Sequence, residues 1–187
     1  MRRVAEMVGV SAPAIYRHYQ NKDDLLNEII IEGLRILDDY LRPALSAETP
    51  YERLLQLLEG YLNFAVEQPK YFDFAFITPS SGIDRFPDEL AKHDWTTFTS
   101  AVGQIYQCME QGVLKKDDPI ETAITLWAEV HGLVSLYRVQ RFGQGLDTFR
   151  QIYWRAVRRI LQGLREEGAL TEVGQADGSS PPSPASR

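Results

Sequence analysis

Apolar residues recur at helical spacing along nearly the whole chain, and no alternation typical of a β-strand is sustained. The clearest segment lies near the end, where apolar residues between Phe149 and Leu164 follow the i, i+3, i+4, i+7 spacing of one helix face. Proline or glycine stands in the gaps between the periodic segments, where helices are expected to break. The pattern predicts an all-α fold.

Capping residues set the ends of several predicted helices. Ser11 and Asn21 are good N-caps, and Asp118 is another, followed by Pro119 at the first helical position. The predicted helices are 2–8, one that begins after Ser11, one from Asn21 to just before Pro43, 50–67, one that restarts after Pro69, 88–111, 119–142 and 148–165. The stretch ITPSSGIDRFP, residues 77–87, is predicted to be a loop.

The long helix that begins at Asn21 can link two domains. Together with the two short helices before it, this helix forms a predicted head over residues 1–42. The remaining helices form a larger predicted body over residues 43–168. Residues 169–187, which end in ADGSSPPSPASR, have too little apolar surface to fold and are predicted to be disordered.

Composition and charge favour a soluble cytoplasmic protein with two unlike parts. Cys108 is the single cysteine, no histidine or cysteine pair has metal-ligand spacing, and no segment approaches the roughly 18 apolar residues of a membrane span. We therefore expect no disulfide, metal, cofactor or membrane insertion. Residues 1–22 hold four Lys and Arg residues against one Glu, a charge of +3, and removing it from the total of −6 leaves −9 for the rest. This asymmetry fits a small anion-binding module on an acidic body.

Two short helices separated by GVS, with cations and aromatic rings in the second, have the pattern of a helix-turn-helix DNA-reading unit. At about 100° per residue, Ile15 and Tyr19 fall on one face of the second helix. That face can pack on the first helix through Val4, Ala5 and Val8.

The opposite face of the second helix carries the candidate DNA contacts. Arg17 can offer a bidentate hydrogen bond to a guanine edge, and Pro13 and Ala14 can contact a thymine methyl group. Aromatic and histidine side chains beside them can reach phosphates, and the N-terminus of the next helix, with its lysine, adds a second phosphate anchor. The predicted DNA-binding residues are Ser11, Pro13, Ala14, Tyr16, Arg17, His18 and Lys22. Periodicity and charge alone leave a generic helical hairpin equally open.

The stretch VAEMVGVSAPAIYRHYQNKDDLL, residues 4–26, resembles the helix-turn-helix signature of the TetR family of bacterial transcriptional regulators. Nearly every signature position is filled, although Tyr19 stands where the family usually has phenylalanine. The later stretch EQPKYFDFAF resembles the segment that follows the fifth helix in many members. LWAEVHGLVSL resembles a C-terminal-domain variant marked by Trp127, His131 and Gly132.

This resemblance implies a homodimeric repressor that binds a palindromic operator in double-stranded DNA. It further implies that the C-terminal helical domain binds a small molecule, and that the linking helix transmits this event to the DNA-reading heads. The acidic body and the locally basic head agree with that division of roles.

Half of the aromatic residues, ten of twenty, lie between Tyr61 and Tyr106, where they can line a ligand cavity between helices or simply fill the core. A small, largely apolar effector is expected in this region. The predicted ligand-binding residues are Phe64, Phe72, Phe76, Trp95, Trp127 and His131. A single histidine on an apolar helix is more often a satisfied core residue, so His131 is read both ways, as core and as a polar ligand contact.

Three functions compete. The first is a ligand-responsive, DNA-binding repressor. The second is an enzyme, which we do not expect because the sequence has no nucleophile–base pair, carboxylate dyad or phosphate-binding loop. The third is a dimeric, small-molecule-binding helical protein without DNA binding.

The helices at about 119–142 and 148–165 are expected to form the homodimer interface. The first of them is apolar nearly all round, so one face can pack inward while the other needs a partner. A two-fold four-helix interface satisfies both.

The beginning of the chain carries a separate expectation. Members of the family that it resembles have another helix, and often a basic arm, before the VAEMVGV helix, whereas Met1 here stands at the start of that helix. We expect the native protein to be longer by about 20–30 residues, the length of one helix and its arm. The chain as given is expected to dimerise but to bind operator DNA poorly.

Overall fold

The fold is that of a computed structural model, which describes residues 1–77, 96–143 and 145–165. Within these ranges the chain is helical and forms no β-strand, which confirms the predicted all-α fold. The helices are α1 (Arg2–Met7), α2 (Ala12–Tyr16), α3 (Lys22–Leu41), α4 (Pro50–Glu67), α5 (Pro69–Phe72), α6 (Thr96–Glu110), α7 (Pro119–Arg138) and α8 (Leu146–Leu164). A 3₁₀ helix, Arg42–Ser46, joins α3 to α4, and a π-helical turn, Asp73–Ile77, continues α5. The predicted tail and most of the predicted loop lie outside the described residues, as does Trp95.

Side-chain caps explain why three of these helices begin where they do. Asn21 Oδ1 accepts the N–H of Asp24 at 2.8 Å at the start of α3. Asp118 Oδ1 accepts the N–H of Ile120 at 2.7 Å, with Pro119 at the first position of α7. Both caps confirm the sequence prediction. A reciprocal capping box between Thr49 and Glu52 starts α4.

Two helix ends differ from the prediction. The helix predicted to reach residue 142 ends at Arg138, because Gln140 adopts a positive φ of 57° that cannot continue an α-helix. The first helix ends at Met7, so Val8 lies just beyond it. The segment that restarts after Pro69 makes only one α-helical turn before the π-helical turn.

α4 is the centre of the body and packs against α3, α6 and α7. Leu54, Leu62 and Phe64 on this helix are at most 1% exposed. α3 crosses α4 very closely: a Cβ atom placed on Gly60 would lie 2.6 Å from the carbonyl oxygen of Tyr40. Leu37 and Leu41 of α3 belong to the same core, so α3 is part of the body as well as of the head.

α8 closes the body. Its inward face, Phe149, Tyr153, Val157 and Leu161, is at most 1% exposed, and the Tyr153 hydroxyl donates to the Leu58 carbonyl at 2.7 Å. Cys108 is fully buried in the same core, and burial raises the pKa of its thiol to about 11. In the described part of the chain, no helix is long and apolar enough to cross a membrane.

Candidate DNA-binding head and ligand cavity

The head is a pair of short helices in close contact at one small residue. α1 and α2 pack against each other, and Ala5 is 2% exposed at their contact. The turn between them needs a glycine, because Gly9 has a φ of 72°. After it, the N–H of Val10 donates to the Ala5 carbonyl at 2.9 Å. This is the compact, glycine-containing connection of a helix-turn-helix unit.

The predicted contact through Val4 and Val8 is wrong. Val4 is 39% exposed and Val8 is 62% exposed. Val8 is the C-cap residue of α1, and its N–H still donates to the Val4 carbonyl at 3.1 Å. Because α2 has only five residues, it covers little of α1 beyond Ala5.

The cavity of the body lies between α3, α4, α6 and α7, with the π-helical turn at one side. Its volume is about 80 Å³, and no charged side chain lines it. Leu34, Leu37 and Leu41 of α3 form one wall. α3 is therefore shared by the cavity and the head, since the same helix begins at Lys22, directly after the helix-turn-helix unit.

A hydrogen-bonded aromatic cluster stands against this cavity. Tyr61 Oη lies 2.8 Å from His131 Nδ1. The imidazole stacks on Phe72 with ring centroids 5.6 Å apart and contacts Phe76 and Trp127 at 5.8 and 5.6 Å. Burial lowers the pKa of His131 and raises that of Tyr61, the latter opposed in part by a hydrogen bond from Trp127. The cluster is therefore uncharged at neutral pH.

The hydrogen bond with Tyr61 occupies Nδ1 of the imidazole, and which of the two groups donates depends on the tautomer of the histidine. His131 is a satisfied member of the core, which agrees with the simpler of the two readings of its sequence position.

Known proteins resemble both parts of the chain. The profile described as "Bacterial regulatory proteins, tetR family" matches residues 1–29. The profile described as "Tetracyclin repressor-like, C-terminal domain" matches residues 54–160, which is more than half of the chain. The chain belongs to the TetR family. It is a helix-turn-helix, DNA-binding transcriptional regulator. Because this family is a class of non-enzymatic DNA-binding proteins, the expectation that the chain is not an enzyme is confirmed.

Individual relatives of this TetR-family chain are distant. It is 22% identical over 167 residues to the uncharacterized HTH-type transcriptional regulator YobS of Bacillus subtilis (strain 168), covering 86% of this chain and 79% of YobS. A solved structure from Rhodococcus sp. RHA1, of unknown function, superposes with a TM-score of 0.70 at 18% identity, covering 88% and 84% of the two chains. The TetR family transcriptional regulator PfmR of Thermus thermophilus gives 0.62 at 17% identity, covering 88% of each chain. These likenesses support the fold.

The structure of this TetR-family head leaves most of the predicted DNA contacts accessible. Ser11, Pro13, Tyr16, Arg17, His18 and Lys22 are exposed, and Ala14 is half-buried. Among the described residues, none forms an ion pair with Arg17 or Lys22. Ser11 is the N-cap of α2, but its hydroxyl makes no capping bond, contrary to expectation. Arg17 is the C-cap residue of α2 rather than an interior position.

The start of α3, which is the second predicted phosphate anchor, offers fewer groups to a phosphate than expected. At the start of α3, the Asp24 N–H is already bonded to Asn21, and the Asp24 carboxylate accepts the Gln20 N–H at 2.9 Å. Asp23 and Asp24 also place two carboxylates in the first turn. The side chain of Lys22 and the remaining N–H groups are what this helix start can offer to a phosphate.

The predicted ligand-binding residues that the structure describes separate into three groups. Phe76 and Trp127 line the cavity. Phe64 and Phe72 are wholly buried and do not line it. His131 stands behind Phe76 and Trp127, bonded to Tyr61, and Trp95 lies outside the described residues.

Sequence reasoning missed the leucine wall of α3 and the rings of Tyr61 and Phe98, which also line the cavity. The apolar spacing of Leu34, Leu37 and Leu41 is visible in the sequence. This spacing is typical of a packed helix face, and nothing in it separates a face against a cavity from a face against solid core.

Proposed function

We propose that this regulator is a repressor that binds a palindromic operator as a homodimer and changes its DNA affinity when a small, largely apolar molecule occupies the cavity. The observation that carries this proposal is the position of α3. The N-terminal end of α3 follows α2, the helix that carries the candidate DNA contacts. Further along α3, Leu34, Leu37 and Leu41 form a wall of the cavity. A molecule that moves this wall therefore also moves the N-terminal end of α3, which lies next to the helix-turn-helix unit.

The length and packing of α3 suit it to transmit a movement from the cavity to the head. The helix has 20 residues and is about 30 Å long at 1.5 Å per residue. Its C-terminal part is held tightly, since Gly60 of α4 admits the Tyr40 backbone at a distance where no Cβ fits. Up to Ile29, by contrast, no residue of α3 is buried. The held part lies beside the cavity and the loosely packed part lies beside the head.

DNA reading is assigned to the exposed face around α2. Arg17 offers a planar fork that can bind a guanine edge in the major groove, and Pro13 offers an apolar contact for a thymine methyl group. Tyr16, which is 52% exposed, and Lys22 can reach phosphates and set the register of the helix. None of these side chains is needed for the packing of the body.

Dimerisation is assigned to α7 and α8. Ile120, Leu136 and Val139, on or just beyond α7, are 45%, 46% and 64% exposed. Beside them, α8 presents half-buried Ile152 and Ala156 next to its buried stripe. Apolar side chains spread along two adjacent helices favour a two-fold four-helix interface. Light scattering that finds only monomer at micromolar concentration would contradict this assignment.

The effector is expected to be uncharged. Moving an ionised group into the cavity removes its hydration, and the lining offers no opposite charge in return. The Tyr61 hydroxyl is already engaged with His131. The repressor role itself is supported by the tetracyclin repressor-like description of the C-terminal domain.

The test is selection of duplexes from a random library by the protein expressed from its own chromosomal reading frame. We expect an inverted repeat bound roughly 10³-fold or more tightly than random DNA at physiological salt. A reporter driven by a promoter containing that repeat should fall when the regulator is present. Binding without sequence preference would instead favour a dimeric small-molecule-binding protein that does not read DNA.

A further inference from the structure

α8 is strongly basic, although the body around it is acidic. This helix and its C-cap residue, residues 146–165, contain five arginines and one acidic residue, a charge of +4. The start of the head, residues 1–22, carries +3, and removing both segments from the total of −6 leaves −13 for the rest of the chain. The positive charge of the body is therefore concentrated on one helix.

Three arginines of α8 share one exposed side and have no charged partner. Arg155, Arg158 and Arg159 are three and four residues apart, so they are neighbours on the helix surface, and all three are exposed. In the described part of the chain, no carboxylate forms an ion pair with any of them. Six other arginines, by contrast, bond a carboxylate, a carbonyl oxygen or a hydroxyl: Arg35, Arg42, Arg53, Arg138, Arg150 and Arg165. We call Arg155, Arg158 and Arg159 the arginine face.

The arginine face is separate from the core and from the side of α8 assigned to the dimer. At about 100° per residue, Arg155 and Arg158 point nearly opposite to the buried stripe of α8. Ile152 and Ala156, on the side assigned to the dimer, lie roughly 110° away from them around the helix axis. Arg159 lies closer to that side. Contact between two copies through Ile152 and Ala156 therefore leaves Arg155 and Arg158 accessible.

The length and chemistry of this side of α8 suit the phosphate backbone of duplex DNA. Gln151 and Gln162 are exposed and extend the arginine face at both ends. Eleven residues at about 1.5 Å each span about 16 Å, which corresponds to about five base pairs at 3.4 Å each. Guanidinium groups bind phosphate oxygens through paired N–H bonds, and glutamine amides also donate to phosphates.

We propose that the arginine face of α8 is a second DNA-binding surface, which holds the phosphate backbone and does not read the sequence. Duplex DNA is the occupant because the chain belongs to a class of DNA-binding proteins, so DNA is the polyanion that it meets. The inference goes beyond the proposed function, since it concerns contacts outside the head and needs neither an effector nor repression. Each contacted phosphate releases condensed cations, so the arginine face should make the binding of any duplex more dependent on salt.

The experiment measures the affinity of the full chain for a duplex of random sequence by fluorescence anisotropy, from about 50 to about 200 mM salt. Arg155→Gln combined with Arg158→Gln should lower the slope of log affinity against log salt by about two, since each phosphate contact contributes about 0.9. Over this range of salt, the unaltered chain should therefore lose about tenfold more affinity than the double variant.

Arg35→Gln combined with Arg42→Gln is the matched control. It removes the same charge from two exposed arginines that are already paired with carboxylates of α3, and it should change the slope by less than about 0.5. Arg155→Lys combined with Arg158→Lys keeps the charge at the arginine face, and it should keep most of the slope because lysine also binds phosphate.

An equal fall of the slope in the two glutamine variants overturns the inference, because net charge alone would then explain the effect. An unchanged slope in the α8 glutamine variant overturns it as well. If light scattering shows that this variant has lost its dimer, the arginine face serves contact between copies, and the inference is also wrong. Selection of an inverted repeat by the same variant tests the head independently, so failure of this inference can be told apart from failure of the proposed function.

Discussion

The head and the body use their apolar residues in opposite ways. Among residues 1–21 only Ala5 is buried, while Met7, Val8 and Val10 are 79%, 62% and 46% exposed. In α4 nine of eighteen residues are buried. The head therefore gains little stability from its own burial and works through its surface, whereas the body is stabilised by its interior and holds its candidate site there. The expectation of a further helix before α1 stays a prediction.

The largest expected difference in stability comes from shortening one side chain to alanine in each region. Phe64→Ala removes a ring that is 0% exposed and should lower the free energy of unfolding by about 3–5 kcal/mol. Met7→Ala, at a side chain 79% exposed, should change it by less than about 0.5 kcal/mol. Urea titration followed by circular dichroism measures both. Equal effects would show that the head is as well packed as the body.

A second test concerns the close crossing of α3 and α4. Gly60→Ala places a Cβ atom 2.6 Å from the Tyr40 carbonyl oxygen, and forcing the helices apart should cost about 1–3 kcal/mol. Gly163→Ala, on the exposed side of α8 with no atom within 4 Å, should stabilise the chain by about 0.5–1 kcal/mol. Thermal unfolding of the two variants should therefore shift in opposite directions. If Gly60→Ala leaves the stability unchanged, α3 is not held tightly against α4 at Tyr40.

The head is tested by two cations with different assigned roles. Arg17→Ala should lose about 1–3 kcal/mol of discrimination at one base pair, because it removes a direct base contact. Lys22→Ala should weaken all duplexes alike and lower the salt slope by about one, because it removes a phosphate contact. Neither should alter the unfolding of the body. If Arg17→Ala weakens selected and random DNA equally, its role in base recognition is wrong.

The smallest expected effect is a dependence of stability on pH that arises from His131 in the body. Burial lowers the pKa of His131 below its ordinary value of 6.5, so below pH 6.5 the unfolded chain binds a proton that the folded chain resists. Stability should therefore fall as the pH drops from 6.5 to the lower native pKa. His131→Gln should flatten this part of the stability profile. A profile that is identical in the two proteins would contradict the burial argument.

Local chemistry explains what could be predicted from the sequence. The caps Asn21 and Asp118 bond to groups two or three residues away, so their spacing alone locates the starts of α3 and α7. The helix-turn-helix unit is similarly local. The prediction for Val8 failed because periodicity indicates which face of a helix a residue occupies, but not how much of that face the five-residue α2 covers.

Tertiary geometry explains what could not be predicted. Phe72 and Phe76 are four residues apart and share one apolar pattern, yet one is wholly buried and the other lines the cavity. The π-helical turn that separates their roles packs against α3, and its first residue, Asp73, bonds to Arg138, which is 65 residues away in the chain. Patterns of single residues carry no signal of such a contact.

The central claim is that the cavity and the head are coupled through α3. The most direct measurement is operator affinity by fluorescence anisotropy, with and without an uncharged apolar compound at a concentration that saturates the cavity. We expect the affinity to change by about fivefold or more, and operator DNA to change the affinity for the compound by the same factor, since coupling is reciprocal. An operator affinity that is the same with the cavity empty and filled would contradict the account.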